Sequence, residues 1–166
     1  MSHLATSMTT RLGTVTLRPA TPHDRAFLRE VYASTRDDEL ARAGSPAEQR
    51  ETSVQVQFDL QDRQYRSSNP HGSFDVVEVD GCRAGRLYVD RRLDDIRIID
   101  IALLPAYRRA GIGSRLINGV LEEARMSGRS ASLHVEVHDP AARLYRRLGF
   151  AMVADRGLYR LMEWRP

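Results

Sequence analysis

The sequence predicts a single α/β domain, with a mixed central sheet of about seven strands flanked by about four helices. Its length of 166 residues suits one domain that is large enough to bury a core. β-rich and helical patterns follow one another in the order β-α-α-β-β-β-α-β-α-β-β. Hairpin signals occur beside a strand–helix–strand crossover, which indicates that one sheet combines antiparallel and parallel pairing.

A strand and two helices are predicted first. Residues 14–18 alternate between polar and apolar side chains, as expected for a half-buried strand. Thr21 followed by Pro22 suits the N-terminal cap and first position of a helix. After a break, a second helix is predicted over residues 46–66.

Three strands are predicted next along the chain. Residues 74–79 and 83–89 are rich in β-forming side chains and flank the pair Asp80-Gly81, which is a strong hairpin signal. Residues 96–103 form a nearly continuous apolar run. Such a run is typical of a strand that is buried on both faces.

The second half of the chain begins with a helix after Gly113. Its apolar residues fall on one stripe, and Gly128 suits its C-terminal cap. The elements predicted after it are a strand at residues 132–137, a helix at 140–148, and a hairpin through 151–153 and 158–164. Trp164 and the last strand either seal the core or join a homodimer, and the pattern leaves both open.

The composition excludes several classes of protein. All 25 basic residues are arginine, and the net charge is only +3 with charges dispersed, which argues against a nucleic-acid partner. No apolar run is long enough to span a membrane. We expect a flexible segment at residues 1–13 and the folded domain at 14–166. Cys82 is the only cysteine, which fits a reducing cytoplasm, and no metal site is expected.

The turn after the apolar strand carries the clearest functional signal. Residues 108–113 read R-R-A-G-I-G between a strand and a helix. Unpaired backbone N–H groups and the positive end of the helix dipole converge at such a turn, which makes it an anion site. Gly111 and Gly113 have no Cβ, so the main chain can approach a phosphate closely. We therefore expect a pyrophosphate here.

The spacing of this turn distinguishes it from other phosphate-binding motifs. It matches neither G-x-G-x-x-G nor G-x-x-x-x-G-K-[ST], and the chain contains no lysine. R-x-x-G-x-G after an apolar strand resembles motif A of the GNAT superfamily of acyl-CoA-dependent N-acyltransferases. The sequence A-x-x-x-Y-x-x-x-G-F at residues 141–150 resembles motif B of that superfamily. The two motifs occur in the expected order, and the resemblance covers roughly residues 74–164.

The resemblance implies a GNAT-like domain that binds acetyl-CoA and transfers the acetyl group directly to a primary amine of a small molecule or a peptide. It implies that the pantetheine arm pairs with the end of the apolar strand and that an N–H group there polarises the thioester carbonyl. The turn would hold the pyrophosphate. The implied cofactor-binding residues are Leu103, Leu104, Arg108, Arg109, Ala110, Gly111, Ile112, Gly113, Ser114 and Asp139.

The catalytic acid and base are expected near the second motif. By resemblance, Tyr145 lies near the CoA sulfur, where it protonates or hydrogen-bonds the leaving thiolate, or else packs on Phe150. His134 and Glu136 share one face of a strand, with His138 continuing the row. His134, Glu136 and Asp100 are the candidates for the base, and His134 is favoured because a neutral imidazole accepts protons near pH 7.

The chain departs from the common family pattern at two places. His138 occupies the offset at which the family commonly has an asparagine that contacts the cofactor, and we expect Asp139 to cap the next helix with Pro140 at its first position. Arg97 replaces an acidic residue of histone-acetylating relatives. The asparagine contact and a direct copy of that base are therefore not expected.

The acceptor site is the least defined part of the sequence. In the superfamily it is shaped by the first two helices and the last hairpin. Asp37, Asp38 and Glu39 would attract a cationic amine, and Gln57, Phe58, Gln61 and Tyr65 would line a groove. Two other functions stay open: a toxin-like enzyme that acetylates aminoacyl-tRNA, and a non-catalytic acyl-CoA-binding module.

Overall fold

A computed structural model describes residues 7–43 and 47–166. Within these residues the chain forms one sheet of eight strands and four α-helices, with short 3₁₀ turns at Pro22–Asp24 and Pro105–Tyr107. In chain order the elements are β1 Ser7–Thr10, β2 Gly13–Pro19, α1 Arg25–Ala43, α2 Ala47–Ser68, β3 Ser73–Val79, β4 Cys82–Arg91, β5 Asp95–Leu103, α3 Ile112–Ser127, β6 Ser130–Glu136, α4 Ala141–Arg147, β7 Ala151–Arg156 and β8 Tyr159–Trp164.

The strand order across the sheet is β1-β2-β3-β4-β5-β6-β8-β7. Among the described residues, only β5 and β6 pair in parallel, through the crossover helix α3. The prediction of a mixed α/β sheet is confirmed, with one strand more than the seven expected. The additional strand is β1, which pairs antiparallel with β2 and lies inside the segment expected to precede the domain.

The first helix begins later than the Thr21-Pro22 signal indicates. Asp24 is buried, and its carboxylate accepts two hydrogen bonds of 2.8 Å from the Arg18 guanidinium and one of 2.8 Å from the Thr21 N–H. These bonds hold residues 22–24 in a 3₁₀ turn before α1 starts. The Arg18 guanidinium holds the pKa of Asp24 well below its usual range. The turn thus fixes where α1 leaves the sheet.

Two apolar clusters cover the sheet, one on each face. The larger packs α3 against β4, β5, β6 and β8, with Leu116, Ile117 and Leu133 among its buried members. The smaller packs α1 and α2 against β3 and β5, with Phe58 and Val31 at its centre. No helix within residues 7–43 and 47–166 is long and apolar enough to cross a bilayer.

The parallel pair opens partway along its length. β5 pairs with β6 only from Asp95↔Ser130 to Ile98↔Leu133. At this point the β4–β5 register shifts, because Tyr88 pairs with Asp100 and Val89 with Ile98, which leaves Ile99 as an extra residue. A bulge of this kind bends the strand and increases its twist. Beyond it, β5 continues with β4 alone, and a gap separates it from the end of β6.

Candidate functional site

Two cavities meet at the gap between β5 and β6. One, of about 590 Å³, is lined by α3 and α4 residues that include Gly113 and Leu144. The other, of about 250 Å³, is lined by α1 and α2 residues that include Tyr32 and Tyr65. The residues shared by both linings are Thr35, Ile101, Ala102, Glu136, Asp139 and Tyr145. A molecule in the first cavity can therefore reach a molecule in the second through the gap.

The glycine-bearing turn opens towards solvent with its donors unused. Arg109 and Gly111 have left-handed backbone, with φ of 60° and 81°, and Gly111 is the N-cap of α3. None of the described residues accepts a hydrogen bond from the N–H groups of residues 109–114. Beyond the neighbouring residues and the backbone of α3, a Cβ added at Gly111 or Gly113 would meet no atom within 4 Å. The turn is thus an open cradle of amide donors at a helix N-terminus, as the sequence predicted.

Arg108 links this cradle to the end of β5 and to α1 by hydrogen bonds. Its Nε donates to the Leu103 carbonyl oxygen at 2.9 Å, and its Nη2 lies 3.4 Å from the Ser34 hydroxyl of α1. Nearby, the Arg109 carbonyl oxygen accepts a bond of 3.0 Å from the Arg11 guanidinium. The geometry therefore gives Arg108 a structural part in shaping the turn.

The two residues at the end of β5 differ in the direction of their N–H groups. The Leu104 N–H donates to the Ala84 carbonyl oxygen at 2.8 Å. N–H groups along an antiparallel strand point alternately towards and away from the neighbouring strand. The N–H groups of Ile101 and Leu103 therefore point away from β4, into the gap. The Leu104 N–H, in contrast, is bonded to β4 and does not point into the gap.

Tyr145 lies at the junction of the two cavities and also packs in the core. Its ring meets that of Phe150 at a centroid distance of 6.0 Å in an edge-on arrangement, and its exposed fraction is 8%. Burial, followed by the nearby Asp139 and Asp100 carboxylates, raises the pKa of Tyr145. The phenol stays protonated at neutral pH, so it can act as a proton or hydrogen-bond donor.

The structure gives His134 a fixed neighbour. Its Nδ1 lies 3.2 Å from Nη1 of Arg97. A guanidinium only donates, so Nδ1 must accept, and the proton of the neutral ring then resides on Nε2. Burial, then the Arg97, Arg156 and Arg92 charges, lower the pKa of His134. The histidine is consequently a neutral Nε2–H donor, and this geometry disfavours it as the base.

Asp100 is engaged by an arginine that sequence reasoning missed. Arg86 of β4 is 3% exposed, forms an ion pair with Asp100, and donates to Gln61 Oε1 at 3.0 Å. Its guanidinium also lies 5.0 Å from the Tyr88 ring centroid. The only sequence signal was an arginine inside an apolar strand, and its partner depends on the β4–β5 register. This pair forms the floor of the smaller cavity.

Glu136 and Asp139 line both cavities at the end of β6. The Asp139 carboxylate accepts the Ala141 N–H at 2.9 Å, as expected of a capping side chain. The N-cap position itself is Pro140, however, and α4 begins one residue later than expected, at Ala141. His138 does not continue the face of His134 and Glu136, because β6 ends at Glu136 and the chain turns. It lines the larger cavity instead.

The expected acceptor residues are only partly brought together. Tyr65 and Gln61 line the smaller cavity, whereas Phe58 is 1% exposed and packs on Tyr32 in the core between α1 and α2. Asp37 is exposed and lines neither cavity, and the side chains of Asp38 and Glu39 lie outside the described residues. Additional lining residues are Tyr32, Thr35, Arg36, Arg86 and Tyr159.

Comparison with known proteins identifies the family. The model of the acetyltransferase (GNAT) family matches residues 28–150. A putative ribosomal protein bS18-alanine N-acetyltransferase of Bacillus subtilis (strain 168) is 35% identical over 83 residues, which are 49% of this chain and 55% of that protein. The match thus spans about half the length of this curated relative.

Solved structures agree on the fold. The PaiA N-acetyltransferase of Thermoplasma acidophilum, in complex with coenzyme A, has a TM-score of 0.69 at 19% identity, over 92% of this chain and 99% of that one. An acetyltransferase from Thermus thermophilus has a TM-score of 0.67 at 19% identity, over 99% and 100% of the two chains. With its family model, its fold and its cradle in agreement, the chain belongs to the acetyltransferase (GNAT) family.

Proposed function

We propose that this chain is an acetyl-CoA-dependent N-acetyltransferase that moves the acetyl group directly to a primary amine. The observation that supports it most is the gap between β5 and β6, at which the two cavities share Glu136 and Tyr145. A thioester in one cavity and an amine in the other would meet there. Holding two reactants in contact in this way is itself a large part of catalysis.

The larger cavity suits the cosubstrate. The N–H groups of residues 109–114, none with an acceptor among the described residues, would hold the pyrophosphate at the start of α3. The Leu103 N–H, which points into the gap, would polarise the thioester carbonyl in place of Leu104. Coenzyme A in the structure of the Thermoplasma acidophilum relative supports the same cosubstrate here.

Glu136 is the base that this geometry favours among the three candidates. Of the three, only Glu136 lines both cavities, whereas His134 and Asp100 line the smaller one alone. His134 also holds its proton on Nε2 because Arg97 occupies Nδ1. Glu136 would take a proton from the ammonium form of the acceptor, directly or through water. The amine nitrogen then attacks the thioester carbon, and a tetrahedral oxyanion forms beside the Leu103 N–H.

Collapse of this intermediate breaks the carbon–sulfur bond. The thiolate leaves with the bonding electron pair, and the Tyr145 hydroxyl, kept protonated by burial, donates a proton or a hydrogen bond to it. Glu136 passes its first proton to solvent and then takes the second proton from the nitrogen. Tyr145 regains from solvent any proton that it gives to the thiolate. No covalent acyl-enzyme is needed, and Cys82, the only thiol, lines neither cavity.

The acceptor amine belongs to a small molecule or to a peptide. The Bacillus subtilis relative, a putative ribosomal protein bS18-alanine N-acetyltransferase, supports a peptide amine. The presence of one cysteine in the whole chain supports a reducing compartment, which we take to be the cytoplasm.

A thiol-release assay tests the proposal. The protein is incubated with acetyl-CoA and a panel of small and peptide amines, and free CoA and acetylated product are quantified together. We expect equal amounts of both, and the same turnover in the Cys82→Ser variant, because no acyl-enzyme forms on sulfur. Binding of acetyl-CoA without turnover on any amine would favour the acyl-CoA-binding module, and loss of activity in Cys82→Ser would contradict direct transfer.

A further inference from the structure

One half of the sheet lacks a helix on the side of the smaller cavity, within the part of the chain that the structure describes. Along β6, Leu133 and Val135 are buried against α3 and α4, whereas His134 and Glu136 point to the other face and are exposed. α1 and α2 cover that face only over β3, β4 and β5. His134, Glu136 and their β8 neighbour Tyr159 therefore form an open floor that continues the smaller cavity.

Arg97 lies on this open face without an anionic partner among the described residues. Its Nε donates to the Ser132 hydroxyl at 2.7 Å and its Nη1 to His134 Nδ1 at 3.2 Å, but none of the described carboxylates lies within ion-pair distance. Asp95, two residues earlier on β5, accepts hydrogen bonds from Ser130 and Ser132. The carboxylate of Asp90, opposite Arg97 on β4, is paired with Arg92 at 3.1 Å. The half-buried Arg97 guanidinium, which spends one N–H on Ser132 and one on His134, therefore keeps N–H donors for an added anion.

Arg156 adds a second positive charge to the same face. It pairs across the β7–β8 hairpin with Tyr159, which in turn pairs with Glu136. Cross-strand partners share a face, so the Arg156 side chain lies on the face of Glu136 and His134, in the row of Glu136. Burial, followed by neighbouring positive charges that include Arg156, lowers the pKa values of both His134 and Arg97. No ion pair joins Arg156 to a carboxylate of the described chain.

His134 completes a set of donors because its tautomer is fixed. Arg97 occupies Nδ1, which leaves Nε2–H as the group that faces the smaller cavity. One neutral donor and two guanidinium groups are a combination that recognises a carboxylate. At the other end of the row, Glu136 carries the opposite charge and suits an ammonium.

We propose that Arg97, His134 and Arg156 form a subsite for a carboxylate of the acceptor, so that the preferred substrate is an amine carrying a carboxylate a short distance away. This inference rests on the proposed acetyl transfer. His134 and Glu136 are two residues apart on β6, which separates them by about 7 Å. An extended diglycine, whose amine and carboxylate are about 6–7 Å apart, spans that interval.

The test compares binding of matched dipeptides to the protein saturated with CoA, measured by titration calorimetry. Diglycine carries the carboxylate, and glycylglycinamide lacks it. Glycyl-aspartamide places a carboxylate on a side chain, and so distinguishes a free amino-acid-like acceptor from an acidic peptide. The variants are Arg97→Gln, His134→Gln, which keeps a donor near the Nε2 position, and His134→Leu, which removes it. Arg63→Gln, an exposed arginine on α2, is the matched charge control.

We expect wild type to bind diglycine about 10- to 100-fold more tightly than glycylglycinamide, the range of a charge-assisted hydrogen bond. Arg97→Gln and His134→Leu should reduce this ratio towards one, whereas His134→Gln and Arg63→Gln should preserve it. A wild-type ratio near one for both carboxylate probes, or a ratio unchanged in Arg97→Gln, would overturn the subsite. Failure to bind CoA at all would instead overturn the proposed function.

Discussion

Replacing Gly113 with valine is expected to abolish acetyl-CoA binding while leaving the fold intact. Gly113 is the second residue of α3 and lines the cavity of about 590 Å³. Beyond the neighbouring residues and the backbone of α3 itself, a Cβ built there meets no atom within 4 Å, and the residue does not have a positive φ. The added side chain would therefore enter only the space that we assign to the pyrophosphate.

The substitution Gly113→Val should change the stability of the fold much less than the affinity for acetyl-CoA. Valine in place of glycine in a helix changes the free energy of unfolding by less than about 1 kcal/mol, which is roughly 4 °C in Tm for a chain of this size. Losing two charge-assisted hydrogen bonds from the cradle to the pyrophosphate costs about 3–6 kcal/mol of binding free energy. That loss corresponds to a dissociation constant that rises by about 10²- to 10⁴-fold.

Calorimetric titration with acetyl-CoA and a thermal melt, both on the same preparation, separate these effects. Gly111→Val and Gly157→Val form a control pair, because both glycines have φ of 81° and open surroundings. A side chain at this φ costs about 1–2 kcal/mol in either variant, but only Gly111 lies in the cradle. We expect Tm to fall by a similar amount in both variants, and acetyl-CoA binding to be lost in Gly111→Val alone. Wild-type affinity in a folded Gly113→Val protein would refute this assignment of the cradle.

Three further predictions concern the gap and the start of α1. Tyr145→Phe should lower kcat by about 10²- to 10⁴-fold with little change in Tm, since the ring still packs on Phe150; an unchanged kcat in the thiol-release assay would remove Tyr145 from the mechanism. Glu136→Gln should lower kcat by a similar factor, and a larger loss in His134→Gln than in Glu136→Gln would reverse the choice of base. Asp24→Asn should cost about 2–3 kcal/mol in urea denaturation at pH 7 because the charge-assisted bonds from Arg18 are weakened. Because the pKa of Asp24 is depressed, its ionised carboxylate stabilises the folded protein above pH ~4, and this stabilisation is lost as the pH falls further. The difference in the free energy of unfolding between wild type and Asp24→Asn should therefore narrow below pH ~4, and a constant difference would contradict this reasoning.

The features that the sequence predicts correctly are local. The strand, turn and helix around Gly111 follow from residues adjacent in the chain, and so does the cap of α4 by Asp139. Left-handed glycines, apolar runs and hairpin pairs act through their own backbone geometry, which a single sequence displays directly. The turn whose amide donors are free within the described part of the chain therefore lies at the residues that the sequence pattern indicates.

The features that the sequence does not predict depend on register. The Arg86–Asp100 pair arises because β4 and β5 are aligned with Ile99 as an extra residue, and a shift of one residue would turn each side chain to the opposite face. Arg97 reaches His134 only because their two strands run parallel. Phe58 resembled a groove residue, but α1 packs over it. None of these alignments has a local signal.

Titration of the wild-type protein with acetyl-CoA is the most direct test of the central claim that residues 109–114 and the gap between β5 and β6 form an acetyl-CoA site. The account predicts one binding site per chain with a dissociation constant in the micromolar range, as is common for enzyme substrates. It also predicts competition by CoA, because both molecules share the pyrophosphate that the cradle holds. Absence of binding by a protein shown to be folded in the same buffer would contradict the account.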